Sequence, residues 1–222
     1  MSLDLGPLVL SLKVATMATV IAAIFGIAVA ALLAHVRFRG RDVVDVLITA
    51  PMVLPPTVLG YYLLVALGRR SLLGHAFESA FGTSIVFTQS GAVVAATVGA
   101  VPLVVKSGRA ALEQVDPTLI RAARTLGAGP LRAFLTVELR LAARGVVAAV
   151  MLAFARALGD FGVTLMVAGD IPGETQTASL AIYDSIQGQK DEAALGLVLA
   201  LAVVALSILY ATNKLTGTRD VR

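Results

Sequence analysis

Residues 116–144 have the sequence DPTLIRAARTLGAGPLRAFLTVELRLAAR, and this stretch decides how the rest of the chain is interpreted. Asp116 followed by Pro117 predicts the start of a helix, because an aspartate oxygen can accept the first free N–H groups and proline already has the φ of the first helical position. Gly127 predicts the end, since the residue after a helix often needs a positive φ. The sequence therefore predicts a helix of about ten residues, or ~15 Å.

This short helix is predicted to have one flat apolar face. Leu119, Ala122, Ala123 and Leu126 follow the spacing i, i+3, i+4, i+7 and so share one side. A second amphipathic helix is expected after Gly129-Pro130. Its apolar side is Leu131, Phe134, Leu135 and Leu141, and its charged side is Arg132, Arg140 and Arg144. A short helix with a flat face can enter a groove on a partner protein, which we favour, or it can lie on anionic lipid.

The composition is that of a membrane protein. Of the 222 residues, 58% are hydrophobic and only 14% are charged, whereas a soluble domain has about 25% charged residues. The chain has no cysteine, which excludes disulfides and thiolate metal sites. The net charge of +4 is interpreted as a determinant of membrane orientation and not as a nucleic-acid surface.

Five segments are predicted to span the membrane, since a transmembrane helix needs about 20 apolar residues. They are Val14–Ala34, Val46–Leu67, Ile85–Val105, Gly145–Val167 and Ala193–Asn213. Short helices are expected between spans at Leu72–Phe81 and Ala178–Ile186. We expect a retained N-terminus and no signal peptide. The reason is that the residues before the first apolar run include the acidic Asp4 and lack the basic n-region of a signal peptide. His35, beside arginines at the end of that span, is expected to be solvated.

The distribution of lysine and arginine predicts the orientation. With five spans, thirteen basic residues fall on one side and four on the other, and Arg156 lies within a span, which accounts for all 18. The larger set is Arg37, Arg39, Arg41, Lys106, Arg109, Arg121, Arg124, Arg132, Arg140, Arg144, Lys214, Arg219 and Arg222. By the positive-inside rule this side is cytoplasmic, so the N-terminus is predicted outside and the C-terminus inside.

The second span is irregular, because Pro51, Pro55, Pro56 and Gly60 interrupt it. Proline within a membrane helix frees backbone carbonyls, which must then be satisfied by protein or by water in a cavity. The pattern predicts either a kinked structural helix or a discontinuous wall of a substrate path. We favour the path, since adjacent prolines in mid-span suit a discontinuous helix.

The fourth span carries two charged residues, Arg156 and Asp160, at the spacing i, i+4 that places both on one helix face. Charges inside a membrane are costly and usually face a bundle interior or water. The pair is interpreted either as an ion pair that closes a helix contact or as part of a gate in a polar path. The glycines in the sequence RALGDFGVT fit close helix packing or an unwound helix end.

No catalytic motif is present in the sequence. It has no G-x-x-x-x-G-K-[ST] for nucleotide phosphates, no H-E-x-x-H and no nucleophile elbow. With only two histidines, a histidine-based metal or acid–base site is not expected. The chain is therefore predicted to be a transporter or channel, neither an enzyme nor the holder of a metal or cofactor.

Part of the central stretch resembles the EAA loop of the permeases of ABC importers. That motif is Glu-Ala-Ala, three residues, Gly, nine residues and Ile-x-Leu-Pro. Arg121-Ala122-Ala123 and Gly127 lie in register with its first part, and residues 137–140 with its last. Arg121 and Arg140 replace the Glu and the Pro. In the family the acidic residue helps to dock an ATPase, so here either the partner differs or backbone and apolar contacts carry the docking.

Other segments are similar to molybdate permeases within this family. They are VLPPTVLGYYLLVALGRRSLLG, AARTLGAGPLRAFLTVEL, FARALGDFGVT and IPGETQTASLAIY. Sulfate and tungstate permeases have related segments. The resemblance implies an all-α polytopic membrane protein in which residues 1–222 form a single permease domain with a cytoplasmic EAA-like loop at 109–144.

The resemblance also implies partners and sites. A second copy of the chain would complete a pathway, cytoplasmic P-loop ATPase subunits would drive it, and an external binding protein would deliver an oxyanion across the bacterial inner membrane. The expected cargo is molybdate, with sulfate, thiosulfate or tungstate as alternatives; a stand-alone anion transporter and a non-transporting scaffold are the other hypotheses.

The residues expected to couple to the ATPase are Leu119, Arg121, Ala122, Ala123, Leu126 and Gly127. Those expected in the pathway or gate are Pro55, Pro56, Gly60, Arg156, Asp160, Phe161 and Gly162. Because Asp160 would repel a dianion, a helix-pairing or gating role with Arg156 is expected for it.

Overall fold

The computed structural model describes residues 4–216, which form α-helices joined by short loops and one π-helical turn. The start of the chain at residues 1–3 and the basic tail with Arg219 and Arg222 lie outside these residues. The helices are α1 (Gly6–His35), α2 (Arg41–Val53), α3 (Pro56–Leu67), α4 (Leu72–Phe81), α5 (Gln89–Glu113), α6 (Pro117–Thr125), α7 (Pro130–Ala133), α8 (Leu139–Leu141), α9 (Ala143–Leu158), α10 (Gly162–Ala168), α11 (Ala178–Gln187) and α12 (Asp191–Thr216), and the π turn is Phe134–Glu138.

Three helices are long and apolar enough to cross a membrane unaided: α1, α5 and the part of α12 from Ala194 to Lys214. Two further candidates are bent pairs. One is α2 with α3, bent by 116°, and the other is Pro130–Leu141 with α9, bent by 77°. If each bent pair counts as one span there are five, so the predicted number of about five is confirmed.

The centre of the bundle is formed by α1, α5 and α9, which pack through small side chains. The fully buried positions in this core are Ala15, Ala18, Ala22, Ala92, Ala100 and Ala153. Small residues let helix backbones approach closely, which is the main way that helices attract each other in lipid. At Gly26 even a methyl group would lie 2.8 Å from the Cβ of Val104, so this contact tolerates no side chain.

The predicted bounds of the third span are wrong. The structure places α5 at Gln89–Glu113 and not at Ile85–Val105. The helix begins late because Thr88 caps it, with its hydroxyl accepting from the N–H of Gly91. It ends late because the charged side chains that follow Val105, where the apolar segment ends, do not end a helix at the membrane surface. The two short helices between spans are confirmed, α4 over its whole length and α11 to within one residue.

The second span is discontinuous, as favoured, and is not one kinked helix. Leu54 and Pro55 have extended backbones with ψ of 137° and 139° between α2 and α3. Each precedes a proline, whose ring disfavours the helical conformation in the residue before it, and here two such residues follow one another. The chain therefore turns sharply at this point, and α3 starts again at Pro56.

The predicted fourth span, Gly145–Val167, is interrupted. Helix α9 ends at Leu158 and α10 starts at Gly162, so Asp160 lies in the break between them. Arg156 and Asp160 therefore do not share one face of an unbroken helix. The unwound helix end that the glycines allowed is what the structure contains.

Candidate functional site

The two interrupted segments contact each other. A methyl group at Gly162 would lie 2.8 Å from the Cβ of Pro56, and one at Gly60 would lie 2.6 Å from the Cβ of Met166. Helices α3 and α10 therefore pack with almost no space between their backbones. Residues predicted from two distant parts of the sequence to line a pathway are thus brought together.

The charged pair lies beside this contact. Arg156 Nη1 is 3.0 Å from Asp160 Oδ1. The other carboxylate oxygen of Asp160 accepts the Thr164 N–H at 3.1 Å and its hydroxyl at 2.7 Å. Asp160 is 3% exposed, so its charge is compensated by these three bonds and not by solvent. The carboxylate joins the end of α9 to the first turn of α10.

Arg156 also borders a small cavity of about 200 Å³. The cavity is lined by Pro51, Met52, Leu54, Pro56, Leu59, Gly99, Leu103, Arg156 and Val163. A methyl group at Gly99 would lie 3.4 Å from Arg156 Nη2, so the small residue there leaves room for the guanidinium. The space lies between the α2–α3 turn, α5 and α10, and a positive charge faces it.

The predicted pathway residues take different places around this cavity. Pro56 and Arg156 line it. Asp160 and Gly162 act through their contacts with Arg156 and Pro56. Phe161 is directed elsewhere, with its ring centroid 5.2 Å from that of Tyr183 on α11.

The other candidate region is the short helix α6, whose predicted ends are confirmed. Asp116 Oδ1 accepts the Thr118 N–H at 2.8 Å, and this bond holds the pKa of the carboxyl below its usual value. Gly127 has a φ of +89°, a conformation that other residues rarely adopt. No residue of α6 is fully buried, so most of its surface is free to meet a partner.

Most of the predicted apolar face of α6 is exposed, since of its four residues Ala123 alone is half-buried. Ile120, which the apolar spacing omitted, packs against the core cluster that contains Leu112 and Val115. Since successive residues turn by about 100°, the side opposite Ile120 carries Thr118, Ala122 and Thr125, with Arg121 on one flank and Leu119 on the other, and all five are exposed. Leu126, at the C-terminal end, is 89% exposed.

The predicted apolar side of the second helix is confirmed in part, because Phe134 packs against the core cluster that contains Leu112 and Val115. Leu131, Leu135 and Leu141 are exposed, whereas Ala133 and Glu138 are buried. From Phe134 onward the side chains are displaced by the π turn, which winds more residues into a turn than the α-helical spacing used for the prediction. Every side chain after it therefore points in a different direction from the one expected.

His35 is exposed, as predicted, but it also has partners within the chain. Its Nε2 lies 2.9 Å from Oε1 of Glu138, and its Nδ1 lies 2.8 Å from the carbonyl oxygen of Ala31. Burial raises the pKa of the Glu138 carboxyl, and the neighbouring His35 opposes this rise. The pair ties the end of α1 to the segment that follows α6. The only sequence signal was one glutamate in an otherwise arginine-rich stretch.

A network of ion pairs joins α2 to α5 on the same side of the bundle. Asp45 Oδ2 lies 2.8 Å from Lys106 Nζ and 3.8 Å from Arg109 Nη1. Glu113 Oε1 lies 2.7 Å from Arg109 Nε and 3.7 Å from Arg41 Nη2. Nowhere in residues 4–216 do three or more His, Asp or Glu side chains gather in a way that could hold a metal ion.

Comparison with known proteins gives a consistent result. The family described as "Binding-protein-dependent transport system inner membrane component" matches residues 17–213. The "Molybdenum transport system permease protein ModB" of Escherichia coli strain K12 is 44% identical over 202 residues, covering 90% of this chain and 88% of that protein. The protein of the same description in Haemophilus influenzae is 41% identical over 209 residues, covering 93% and 91%. A chain of the solved MetNI methionine ABC transporter in inward-facing conformation superposes with a TM-score of 0.76 over 97% of this chain and 98% of its own length, at 19% identity. At that identity the likeness establishes the fold alone.

Proposed function

Because this chain belongs to the family of binding-protein-dependent transport system inner membrane components, we propose that it is the permease subunit of an ATP-driven importer of an oxyanion, most specifically molybdate. It is a polytopic all-α membrane protein and not an enzyme; ATP hydrolysis belongs to a separate subunit. The two relatives described above, which are named for molybdenum transport, support this cargo. Sulfate, thiosulfate and tungstate remain alternatives from the sequence resemblance.

The observation that carries the proposal is the exposed helix α6. It is defined at both ends, by the Asp116 cap and by Gly127, yet no residue in it is fully buried. A helix of nine residues is too short to be stable in water by itself. The helix is therefore held in place by its packing on α7 and the π turn, and its exposed side stays free for a partner. We infer that this partner is a cytoplasmic P-loop ATPase. The residues that would make the contact are Leu119, Arg121, Ala122, Ala123, Leu126 and Gly127.

The structure offers a continuous route from α6 to the cavity. Helix α6 packs on α7 and the π turn, which lead through α8 into α9. Arg156 near the end of α9 pairs with Asp160, and α10 then packs on α3 through Gly162 and Pro56. A displacement of α6 by an ATPase would in this way reach the proline turn. We propose that this turn and the α9–α10 break form the wall and gate of the pathway.

A complete pathway requires more than one chain. The α2–α3 turn exposes Thr57 and Val58 at the start of α3, where the first N–H groups of a helix have no partner in the helix and no side chain caps them. Free backbone groups at membrane depth must face protein or water and cannot face lipid. We propose that a second copy of this chain faces them across the pathway, and that an external binding protein delivers the oxyanion to its outer opening.

Uptake measurements test the proposal. A strain that lacks this gene is expected to lose uptake of labelled molybdate at low external concentration and to recover it when the gene is returned. Tungstate and sulfate, measured in the same strain, identify the oxyanion, and unchanged uptake of all three would contradict the proposal. Purified chain in liposomes is expected to move no oxyanion unless the ATPase, ATP and the binding protein are present. Transport by the chain alone would favour the stand-alone transporter instead.

A further inference from the structure

The side of the bundle that carries α6 has basic side chains in two different settings. Arg41, Lys106 and Arg109 all pair with the carboxylates of Asp45 and Glu113, at distances from 2.7 to 3.8 Å. Three of these four pairs join α2 to α5, and the pair of Arg109 with Glu113 lies within α5. These three basic side chains therefore form ion pairs within the chain itself.

The second setting is the arginine surface, which we define as the five arginines of the segment 116–144. They are Arg121, Arg124, Arg132, Arg140 and Arg144. All five are exposed, and the structure of residues 4–216 gives none of them an ion-pair partner. They belong to α6, α7, α8 and α9, which follow one another in the chain and pack together. An unneutralised positive surface therefore surrounds the exposed helix.

The two acids of the same segment do not neutralise this surface. Asp116 and Glu138 are the only two in residues 116–144. Asp116 accepts the Thr118 N–H as the cap of α6. Glu138 is 2% exposed and pairs with His35 from α1. Asp116 is exposed near Arg121 and Arg144 but forms no ion pair with either. One exposed carboxylate cannot offset five arginines, so the surface stays positive.

We propose that the ATPase cleft that receives α6 has an acidic rim. The opposite charges of the arginine surface and of this rim then select the partner. This inference rests on the proposed function, because it specifies the surface of the proposed ATPase. Arg121 lies on one flank of the exposed side of α6, at the position where the EAA motif that this stretch resembles has a glutamate. A guanidinium binds a carboxylate through two parallel hydrogen bonds, so it selects acidic side chains in orientation as well as in sign.

The alternative occupant is an anionic lipid surface. A helix that lies on lipid buries a broad apolar face in the interface. The exposed side of α6 carries two large apolar side chains, Leu119 and Leu126. It also carries Thr118, Thr125, Arg121 and Ala122. Two leucines form a narrow apolar stripe and not a broad face, so this mixed surface suits a protein cleft better than lipid. The observations therefore favour the protein partner.

The test measures the affinity of this chain, solubilised in a non-ionic detergent, for the P-loop ATPase co-expressed with it. Binding of the unaltered chain is expected to weaken as salt is raised, since exposed charges are screened. Arg121→Glu is expected to weaken binding by ~10-fold or more, because a like charge then faces the acidic rim. Arg121→Gln is expected to weaken it less. Arg39→Glu is the matched control, since Arg39 is exposed on the same side but lies outside the arginine surface.

Each outcome decides one point. Recovery of Arg121→Glu binding by an acid-to-lysine change in the ATPase cleft would support the inference. The inference would be overturned if Arg121→Glu and Arg121→Gln weakened binding equally, or if Arg121→Glu and Arg39→Glu did. Binding that salt does not affect would also overturn it. If the Arg121→Glu defect appears only in nanodiscs that contain phosphatidylglycerol and not in pure phosphatidylcholine, the surface serves lipid and the inference is also overturned. If the unaltered chain binds no ATPase at all, the proposed function itself fails.

Discussion

The chain is broken twice within its membrane-spanning segments, and the two breaks are built in different ways. Between α2 and α3 the backbone is extended at two residues because each precedes a proline, at Pro55 and at Pro56. Between α9 and α10 no proline is present, and Asp160 is held by Arg156 and Thr164. The first break follows from covalent geometry, and the second from a few electrostatic contacts.

This difference indicates which break can move. A residue before proline is disfavoured in the helical conformation, although Ala50 before Pro51 and Val101 before Pro102 are helical. At Leu54 and Pro55 the restriction acts on two successive residues, so the α2–α3 turn is a fixed wall. The α9–α10 break depends on bonds that can lengthen or exchange, so it is the adjustable part. Because Gly162 touches Pro56, movement at the adjustable break is passed directly to the fixed one.

The largest effect is expected at this contact. Gly162→Val places side-chain atoms where a methyl group alone would lie 2.8 Å from the Cβ of Pro56. Overpacking of this kind costs about 1–3 kcal/mol or more, so oxyanion uptake should be lost while the chain still reaches the membrane. The matched control is Gly159→Ala, whose methyl group would meet only the carbonyl of Ala155 at 3.6 Å, and which should keep uptake. Equal uptake by both variants would show that close packing of the two breaks is not needed.

The next largest effect is expected for Asp160→Asn. The amide has nearly the same shape and its oxygen can still accept from Thr164, but it no longer neutralises Arg156. Loss of a hydrogen bond between charged groups costs about 1.5–3 kcal/mol, which would reduce uptake by ~10-fold or more. The amount of chain in the membrane should change much less, because most packing is intact. A variant that is degraded, with no transport defect per remaining molecule, would contradict a gating role for Asp160.

The comparison also shows what could be predicted from the sequence. The proline break was predictable because proline acts on its immediate neighbour. The Asp160 break was not, since i, i+4 spacing fits a continuous helix equally well until the contacts with Thr164 and Pro56 are known. The cap and end of α6 were predictable for the same local reason as the proline turn. The pairing of His35 with Glu138 joins residues far apart in the chain, and no local pattern reveals it.

A smaller effect is expected for Thr164→Val. This change removes the hydroxyl that donates to Asp160 at 2.7 Å but keeps the backbone N–H and the Arg156 contact. One hydrogen bond contributes about 1 kcal/mol, so the initial rate of uptake should fall by ~5-fold. Thr164→Ser keeps the hydroxyl and should transport like the unaltered chain. If the serine variant is as defective as the valine variant, the methyl packing and not the hydrogen bond is what matters at this position.

The smallest effects are expected at the fixed break. Pro55→Ala still leaves Pro56 to exclude residue 55 from the helical conformation, and Pro56→Ala still leaves Pro55 to exclude residue 54. Each single variant should therefore keep the turn and nearly all uptake, whereas the double variant removes both restrictions and allows α2 and α3 to join. Spin labels on Val46 and Val65, residues that are exposed on α2 and α3, would report the angle between the helices. The distance between the labels should be unchanged in both single variants and longer in the double variant. A single variant that straightens the turn would mean that this break, like the one at Asp160, is held by contacts with its neighbours, and the distinction between a fixed and an adjustable break would no longer stand.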